Sequence, residues 1–198
     1  MYPSILTKTI EYFKKFNGIG EKTAERLSLS ILDMSIDDVE NFSKSVKELK
    51  DNIVRCKVCG HITDTETCNI CSNKYRNDNI ICVVEDYKSV FMFEKSGNFD
   101  GKYHVLNGVI SPIDGITPDE LNINSLSERI NKLKGEIEII IALKPSIEGE
   151  ATTLYLKKIL DNKNIKITRL SYGIPMGIEI DYLDSITLDR ALKDRKDI

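Results

Sequence analysis

Four of the five cysteines in this 198-residue chain lie between residues 56 and 71, and their spacing constrains the fold more than any other feature. Cys56 and Cys59 form one C-x-x-C pair, and Cys68 and Cys71 form a second. Each pair places two thiolates on one side of a tight turn, and zinc binds four such sulfurs tetrahedrally. Four protein ligands leave no position for water. The spacing therefore predicts one structural zinc ion per chain.

The polar character of residues 55–77 supports this interpretation, because a segment without apolar periodicity needs metal binding in order to fold. A redox dithiol is the alternative, but thioredoxin-like motifs use one C-x-x-C between a strand and a helix. His61 could replace a ligand, although four cysteines already complete the set. The fifth cysteine, Cys82, lies in the run NIICVVE and is expected to be a small buried hydrophobe.

Residues 1–54 are predicted to be helical, because apolar residues recur there at spacings of three and four. The string FNGIGEKTA separates two helical patterns, with Gly18 and Gly20 on either side of one apolar residue. Lys22 and Arg26, four residues apart, share one helical face beside free backbone N–H groups that can bind phosphate. This pattern predicts a helix-hairpin-helix that contacts the DNA backbone. An ordinary tight turn between packed helices is the alternative.

Strand and helix patterns alternate through residues 78–173. The strand-like runs are NIICVVE, KYHVLNG, EIEIIIAL and IKITRLSYG. Continuous β-branched runs are typical of strands covered on both faces, so we expect a mostly parallel sheet with helices on each face. Residues 174–198 suggest a short strand or turn followed by a helix. The fold class is therefore α/β, built from several modules.

Net charge and composition leave the function open. The chain carries a net charge of −3, is 41% hydrophobic and 30% charged, and contains no apolar run long enough to span a membrane. Its N-terminus lacks the pattern of a secretory signal, so we expect a cytoplasmic protein. The mild negative charge neither indicates nor excludes nucleic-acid binding, because local patches matter more than the total.

Several specific strings occur in one order along nearly the whole chain. They are FNGIGEKTAERL, C-x2-C-x8-C-x2-C, ICVVED, GKYHVLNGVISPIDGITPDEL, EGEATTLYL and TRLSYGIPMGIEIDYLDSITLDRAL. In this order the chain resembles the RecR family of bacterial recombination mediator proteins. The resemblance implies four modules, namely a helix-hairpin-helix over residues 1–54, a four-cysteine zinc finger over 55–77, a Toprim domain over 78–173, and a C-terminal assembly segment with a Walker-B-like strand over 174–198.

The resemblance also implies a function in recombinational DNA repair. It implies sequence-independent binding of double-stranded and of single-stranded or gapped DNA, and a ring-shaped homotetramer built from exchanged N- and C-terminal elements. The implied partners are RecO and RecF, with which the family helps to load RecA onto gapped DNA. It implies association with the nucleoid. Asp181 and Asp184 follow the Walker-B-like run, but the sequence has no matching phosphate loop, so we expect no nucleotide hydrolysis by this chain alone.

Comparison with Toprim enzymes argues against catalysis. Those enzymes hold Mg²⁺ with a glutamate after one strand and a D-x-D-x-E cluster after a later one. Glu85 matches the first glutamate, but Lys144 and Ser146 replace both aspartates and leave Glu148. We therefore expect a noncatalytic protein, with a metal-dependent Toprim nuclease or primase-like enzyme as the alternative. Glu85, Glu148 and Glu150 are left with three possible uses: stabilising a helix N-terminus, docking RecO, or weakly binding a metal ion.

Overall fold

The computed structural model describes residues 2–161, 164–171, 174 and 177–195, and the chain divides into two compact units, residues 1–53 and 54–198. The described helices are α1 Ser4–Phe13, α2 Glu21–Ser30, α3 Ile36–Asn52, α4 Asn69–Ser72, α5 Tyr87–Ser96, α6 Ile123–Ile130, α7 Ile147–Ile159 and α8 Ser185–Lys193. The described strands are β1 Val54–Arg55, β2 Ile62–Thr63, β3 Asn77–Val84, β4 Gly101–Val105, β5 Ile137–Ala142 and β6 Ile165–Arg169. No helix in these ranges is both long enough and apolar enough to cross a membrane.

The N-terminal unit is helical, as predicted. Helices α1 and α2 pack through one large and two small buried side chains, Ile10, Ala24 and Ser28. Ser35 caps the start of α3, where its hydroxyl accepts a hydrogen bond from the backbone N–H of Asp38 at 3.1 Å. Small side chains allow the first two helices to approach closely, which holds the intervening hairpin in a defined conformation.

A four-stranded parallel sheet forms the centre of the second unit, in the strand order β4-β3-β5-β6. The four strands are the four runs that the sequence predicted, and the prediction of a parallel sheet is confirmed. From β3 the chain moves outward to β4, and it then returns across the sheet to β5. The connection after β3 therefore runs to one side of the sheet, and the connection after β5 runs to the other. This divergence leaves a crevice at the carboxyl ends of β3 and β5, which is where α/β proteins bind ligands.

Both faces of this sheet are covered. On one face, Ile81 and Val83 of β3 pack with the apolar sides of α6 and α7. On the other face, the alternate residues Cys82 and Val84 pack with Val90 of α5. Cys82 is the buried small hydrophobe that the sequence predicted, and burial raises the pKa of its thiol to about 12.

The C-terminal segment differs at one point from what the family resemblance implied. The sequence suggested a short strand or turn and the resemblance a Walker-B-like strand, and the described residues form a 3₁₀ turn at Ile180–Tyr182 and then α8. A strand needs a neighbouring edge to pair with, and Ile180 and Tyr182 are instead exposed. Asp184 caps α8, since its carboxylate accepts hydrogen bonds from two backbone N–H groups at 3.0 and 2.9 Å. Residues 175, 176 and 196–198 of the predicted segment lie outside the described residues.

Candidate metal centre and nucleic-acid interface

The first cysteine pair lies on a short hairpin. Strands β1 and β2 pair in antiparallel fashion, and the N–H of Cys56 donates to the carbonyl of His61 at 2.7 Å. The turn closes through Gly60, whose N–H donates to the Cys56 carbonyl at 2.9 Å and whose φ is +74°. Only glycine adopts this conformation without strain, and it lets the two thiols face the same side.

The second cysteine pair lies at the start of α4. Cys68 precedes this helix, and its sulfur accepts a hydrogen bond from the N–H of Cys71 at 3.5 Å. The N–H of Cys68 in turn donates to the sulfur of Cys56 at 3.3 Å, which joins the two halves. Such N–H donors stabilise a sulfur in its thiolate form, which is the form that binds metal.

The four sulfurs are arranged as a tetrahedral metal site requires. They lie within 4.8 Å of one another, and the sulfurs of Cys59 and Cys68 are 3.6 Å apart. A tetrahedron with metal–sulfur bonds of about 2.3 Å has edges of about 3.8 Å. All four cysteines are free, and three are buried. They could therefore hold one zinc ion, which agrees with the predicted cofactor. Within the described ranges they are the only group of three or more Cys, His, Asp or Glu residues with this potential.

Electrostatics also favour a cation at this cluster of thiols. The hydrogen bond with the Cys68 sulfur raises the pKa of Cys59, whereas the same contact lowers the pKa of Cys68. Ionising one buried thiol thus opposes ionisation of its neighbour, and a divalent ion removes that opposition. Zinc in this site would stabilise the fold and leave no ligand position open for catalysis.

A buried lysine attaches the second half of the finger to the sheet, and sequence reasoning missed it. Lys102 lies in β4, and its ammonium donates to the carbonyls of Ile70, Cys71 and Asn73 at 2.9, 3.0 and 2.7 Å. Its side chain is 2% exposed, and Asp78 lies 3.4 Å away. The sequence feature that could have indicated this contact is a lysine inside the strand-like run KYHV, because a buried ammonium needs hydrogen-bond acceptors.

The first half of the finger contacts the same strand. The N–H of Val105 donates to the carbonyl of Cys59 at 2.7 Å, and a Cβ on Gly60 would approach the Asn122 side chain to 2.8 Å. His61 is buried and packs edge-on against Phe91, with ring centroids 4.9 Å apart. Burial lowers the pKa of His61, and the histidine is not part of the sulfur cluster. The zinc finger and the sheet are therefore one structural body.

The hairpin between α1 and α2 places its basic residues on the surface. Gly18 has a φ of +82°, and the N–H of Ile19 donates to the Phe16 carbonyl at 3.1 Å, which closes the turn. Gly20 precedes α2, and no side chain caps the helix there. Lys22 and Arg26 are on the surface side of α2, and neither forms an ion pair with any residue that the structure describes. Their spacing of four residues on α2 places them on one face of that helix.

The retained Toprim acids lie at the carboxyl edge of the sheet. Glu85 follows β3, and its carbonyl accepts a hydrogen bond from Gly108 at 3.0 Å. Glu148 lies in the first turn of α7, where its own backbone N–H is the main cause of its lowered pKa, assisted by the Ser146 hydroxyl and the charge of Lys144. Lys144 makes no ion pair in the described part of the chain, so its influence acts at longer range.

Glu150 has partners of its own. Its carboxylate lies 3.4 Å from Arg169, at the end of β6, and 3.6 Å from Arg190 of α8. Arg169 is also 3.3 Å from Asp194. Glu150 therefore connects the sheet to the C-terminal helix. In the described ranges, Glu85, Glu148 and Glu150 do not come together as a group of three carboxylates that could share a metal ion.

The four-cysteine site and the parallel sheet, with its altered acidic edge, define a zinc-finger protein that carries a Toprim domain. The family model for Toprim domains matches residues 79–171, the model for the four-cysteine zinc finger domain of RecR matches 53–73, and the model for the RecR C-terminal domain matches 173–196. "Recombination protein RecR" of Lactobacillus johnsonii (strain CNCM I-12250 / La1 / NCC 533) is 46% identical over 197 residues, which is 100% of this chain and 99% of that relative. The chain belongs to the RecR family. This confirms the resemblance, and with it a role in DNA recombination and repair and a zinc-finger site.

Proposed function

We propose that this chain is a noncatalytic, DNA-binding mediator of recombinational repair in the cytoplasm, associated with the nucleoid. It assembles as a ring-shaped tetramer and acts with RecO and RecF to load RecA onto gapped DNA. The observation that carries the proposal is the hairpin surface, where Lys22 and Arg26 lie beside the uncapped start of α2.

The hairpin offers two kinds of phosphate contact at one place. The first N–H groups of α2 have no intrahelical acceptors, and the positive end of the helix dipole favours an anion there. Lys22 and Arg26 add positive charge, and neither forms an ion pair in the described part, although Glu25 and Asp33 line the same cleft. Glu21 lies at the same end, but Lys14 binds it at 2.7 Å and offsets its charge. Contacts of this kind are sequence-independent and depend strongly on salt.

One hairpin supplies few basic groups, so useful affinity for DNA requires several hairpins on one duplex, and a tetramer would supply them. Several hairpins on one duplex convert later contacts into intramolecular events, which raises the apparent affinity without any new kind of contact. A ring of four chains would present the hairpins together. The solution mass, measured with and without DNA, tests this step, and a monomer under both conditions would contradict the ring.

The acidic edge supports the noncatalytic part of the proposal. A magnesium site needs several oxygen ligands at one point, whereas the chain has Lys144 and Ser146 where two aspartates would stand. Glu148 remains available at the surface and is proposed to take part in docking RecO. Incubating the pure protein with Mg²⁺ or Mn²⁺ and nicked or single-stranded DNA should give no cleavage. Cleavage that disappears in Glu85→Gln would establish the enzymatic alternative.

The hairpin is tested by the double variant Lys22→Ala/Arg26→Ala in a gel-shift titration with duplex DNA. We expect at least about a tenfold loss of affinity and a smaller salt dependence, since the slope falls by about 0.9 for each phosphate contact removed. The matched control is Lys47→Ala/Lys50→Ala, which removes the same charge from exposed positions on α3. Equal affinities for the two double variants would refute the hairpin assignment.

A further inference from the structure

A series of aromatic rings in edge-on contact, with one guanidinium over the first ring, lies between the zinc finger and α5. The guanidinium of Arg55 lies 5.0 Å from the ring centroid of Tyr87, which meets Phe91 edge-on at 6.5 Å. Phe91 also contacts His61 edge-on at 4.9 Å. Although His61 covers one side of it, Phe91 remains 50% exposed. The molecule thus presents an aromatic face and a stacked guanidinium to solvent at one place.

The positive charge of this face is available for binding. Arg55 donates from Nη1 to the carbonyl of Gly60 at 3.1 Å, which fixes the guanidinium, and its other N–H groups donate to no residue that the structure describes. Lys88 is exposed on the first turn of α5. Neither Arg55 nor Lys88 pairs with a carboxylate among the residues that the structure describes. Lys57 lies nearby, but its ammonium contacts Glu66.

A polar cleft of about 440 Å³ adjoins the stacked guanidinium. Arg55, Lys57, Asn107 and Asn122 contribute to its walls, together with Glu120, whose carboxylate accepts a hydrogen bond from the N–H of Thr117 at 2.8 Å. The walls are held in place, because Asn122 donates to the Val105 carbonyl at 3.1 Å and Val105 donates to Cys59. The volume lies within the range of about 300–1,000 Å³ that is usual for ligand sites.

We propose that this surface is a second nucleic-acid site that binds a single strand. We call it the strand platform and define it by Arg55, Tyr87, Lys88, Phe91 and the adjoining cleft. One base stacks on the exposed face of Phe91 or on the outer plane of the Arg55 guanidinium, and a phosphate enters the cleft beside Arg55. Exposed aromatic faces combined with unpaired cations are the usual composition of single-strand sites.

The chemistry favours a single strand over a duplex. A double helix keeps its bases stacked inside and offers only phosphates, which the hairpin surface already suits. The strand platform instead needs an unstacked base, so it would distinguish single-stranded DNA from duplex. The inference rests on the proposed DNA-binding function and extends it, since gapped DNA supplies a duplex for the hairpin and a single strand for the platform.

The test uses the full-length, zinc-loaded protein and three probes of equal length: oligothymidylate, the same strand with abasic sites, and a duplex. Phe91→Ala should weaken oligothymidylate binding about 5- to 20-fold and abolish the preference over the abasic strand, which reports stacking. Arg55→Ala should weaken binding of both single strands and lower the salt slope by about 0.7. The matched controls are Met92→Ala, the neighbouring exposed apolar residue, and Lys158→Ala, and both should bind like the wild type.

Zinc content and the unfolding midpoint check that each variant is folded. If Phe91→Ala unfolds, Phe91→Leu, which keeps the packing on His61 but lacks a ring, decides the question. Wild-type affinity of Phe91→Leu and Arg55→Ala for both single strands would overturn the inference and leave the hairpin proposal intact. If these variants bound all three probes normally but no longer bound a protein partner, the inference would likewise be overturned, and the face would be a protein-docking surface. Loss of single-strand binding in these variants, while Lys22→Ala/Arg26→Ala still binds duplex, would support the platform and refute the hairpin.

Discussion

Replacing Lys102 with methionine is expected to loosen the zinc finger from the sheet. Methionine keeps most of the apolar stem but removes the ammonium that donates to three carbonyls at 2.7–3.0 Å. Those carbonyls belong to Ile70, Cys71 and Asn73, at and just beyond the end of α4. Helix ends leave their last carbonyls without intrahelical donors, so Lys102 supplies partners that the local sequence does not.

The expected magnitude follows from the hydrogen bonds that this substitution removes. A buried acceptor without a donor costs about 1–3 kcal/mol, and the substitution leaves the carbonyls of Ile70 and Cys71 without the Lys102 donor. Asn73 is exposed, so water can reach its carbonyl and reduce the cost. We therefore expect the free energy of unfolding to fall by about 3 kcal/mol, a large share of the ~5–15 kcal/mol that is typical of a domain.

Urea denaturation followed by circular dichroism measures this loss, and transfer of zinc to a chromophoric chelator measures the attachment of the finger. Zinc release should be faster in Lys102→Met, because Cys71 lies in the segment that is freed. The matched control is Lys166→Met, whose side chain is 73% exposed and forms a 3.5 Å ion pair with Glu138. That variant should lose less than about 0.5 kcal/mol. A loss below about 1 kcal/mol in Lys102→Met, with unchanged zinc release, would refute the reasoning.

Three other measurements test the turn before α7, a buried histidine and the metal site. Gly149→Ala should lower the free energy of unfolding by about 3 kcal/mol, because the added Cβ would overlap the Lys144 carbonyl oxygen. The control is Gly20→Ala, whose added Cβ would meet nothing within 4 Å. Equal thermal midpoints for the two variants would contradict the turn geometry. His104 is buried, and burial lowers its pKa to about 4. In the unfolded chain the same histidine binds a proton near its ordinary pKa of about 6.5, whereas in the folded chain it stays neutral at that pH. The contribution of His104 to stability is therefore complete above about pH 6.5 and falls toward pH 4. In urea titrations, the free energy of unfolding of the wild type should fall by about 1.4 kcal/mol more than that of His104→Gln between about pH 7.5 and 5.5. Equal losses in the two proteins would argue against this burial effect. Metal analysis of freshly purified protein should give about one zinc per chain, and a clearly smaller value would contradict a structural site.

The parts that could be predicted from the sequence are those whose cause is local. The β-branched runs of β3 and β5 became central strands because their residues must be covered on both faces. The two C-x-x-C pairs brought four sulfurs together because each pair needs only one tight turn. The hydrogen bonds of Lys102 could not be predicted in this way. Its acceptors are backbone carbonyls 29–32 residues distant, and a carbonyl has no signature in the sequence.

The C-terminal segment is the opposite case, because its sequence has the pattern of a strand but its described residues do not form one. Ile178, Ile180 and Tyr182 alternate with polar residues, which is the pattern of a half-buried strand. A strand also requires a free edge at the correct distance, and periodicity does not report whether one is available. All three side chains are exposed, and the chain turns at Ile180–Tyr182. Asp184, which the Walker-B comparison singled out, caps the following helix.

The acidic residues at the edge of the Toprim domain have structural roles that do not depend on metal chemistry. Glu148 is stabilised as an anion by the start of α7, and Glu150 lies between two arginines. Gly149, between them, has no room for a side chain, because the Lys144 carbonyl occupies that space. The string EGEAT is thus required by a turn, a helix start and a connection to α8, none of which involves magnesium. These roles do not require a metal-dependent reaction, so the presence of the residues is evidence for the fold and not for a reaction.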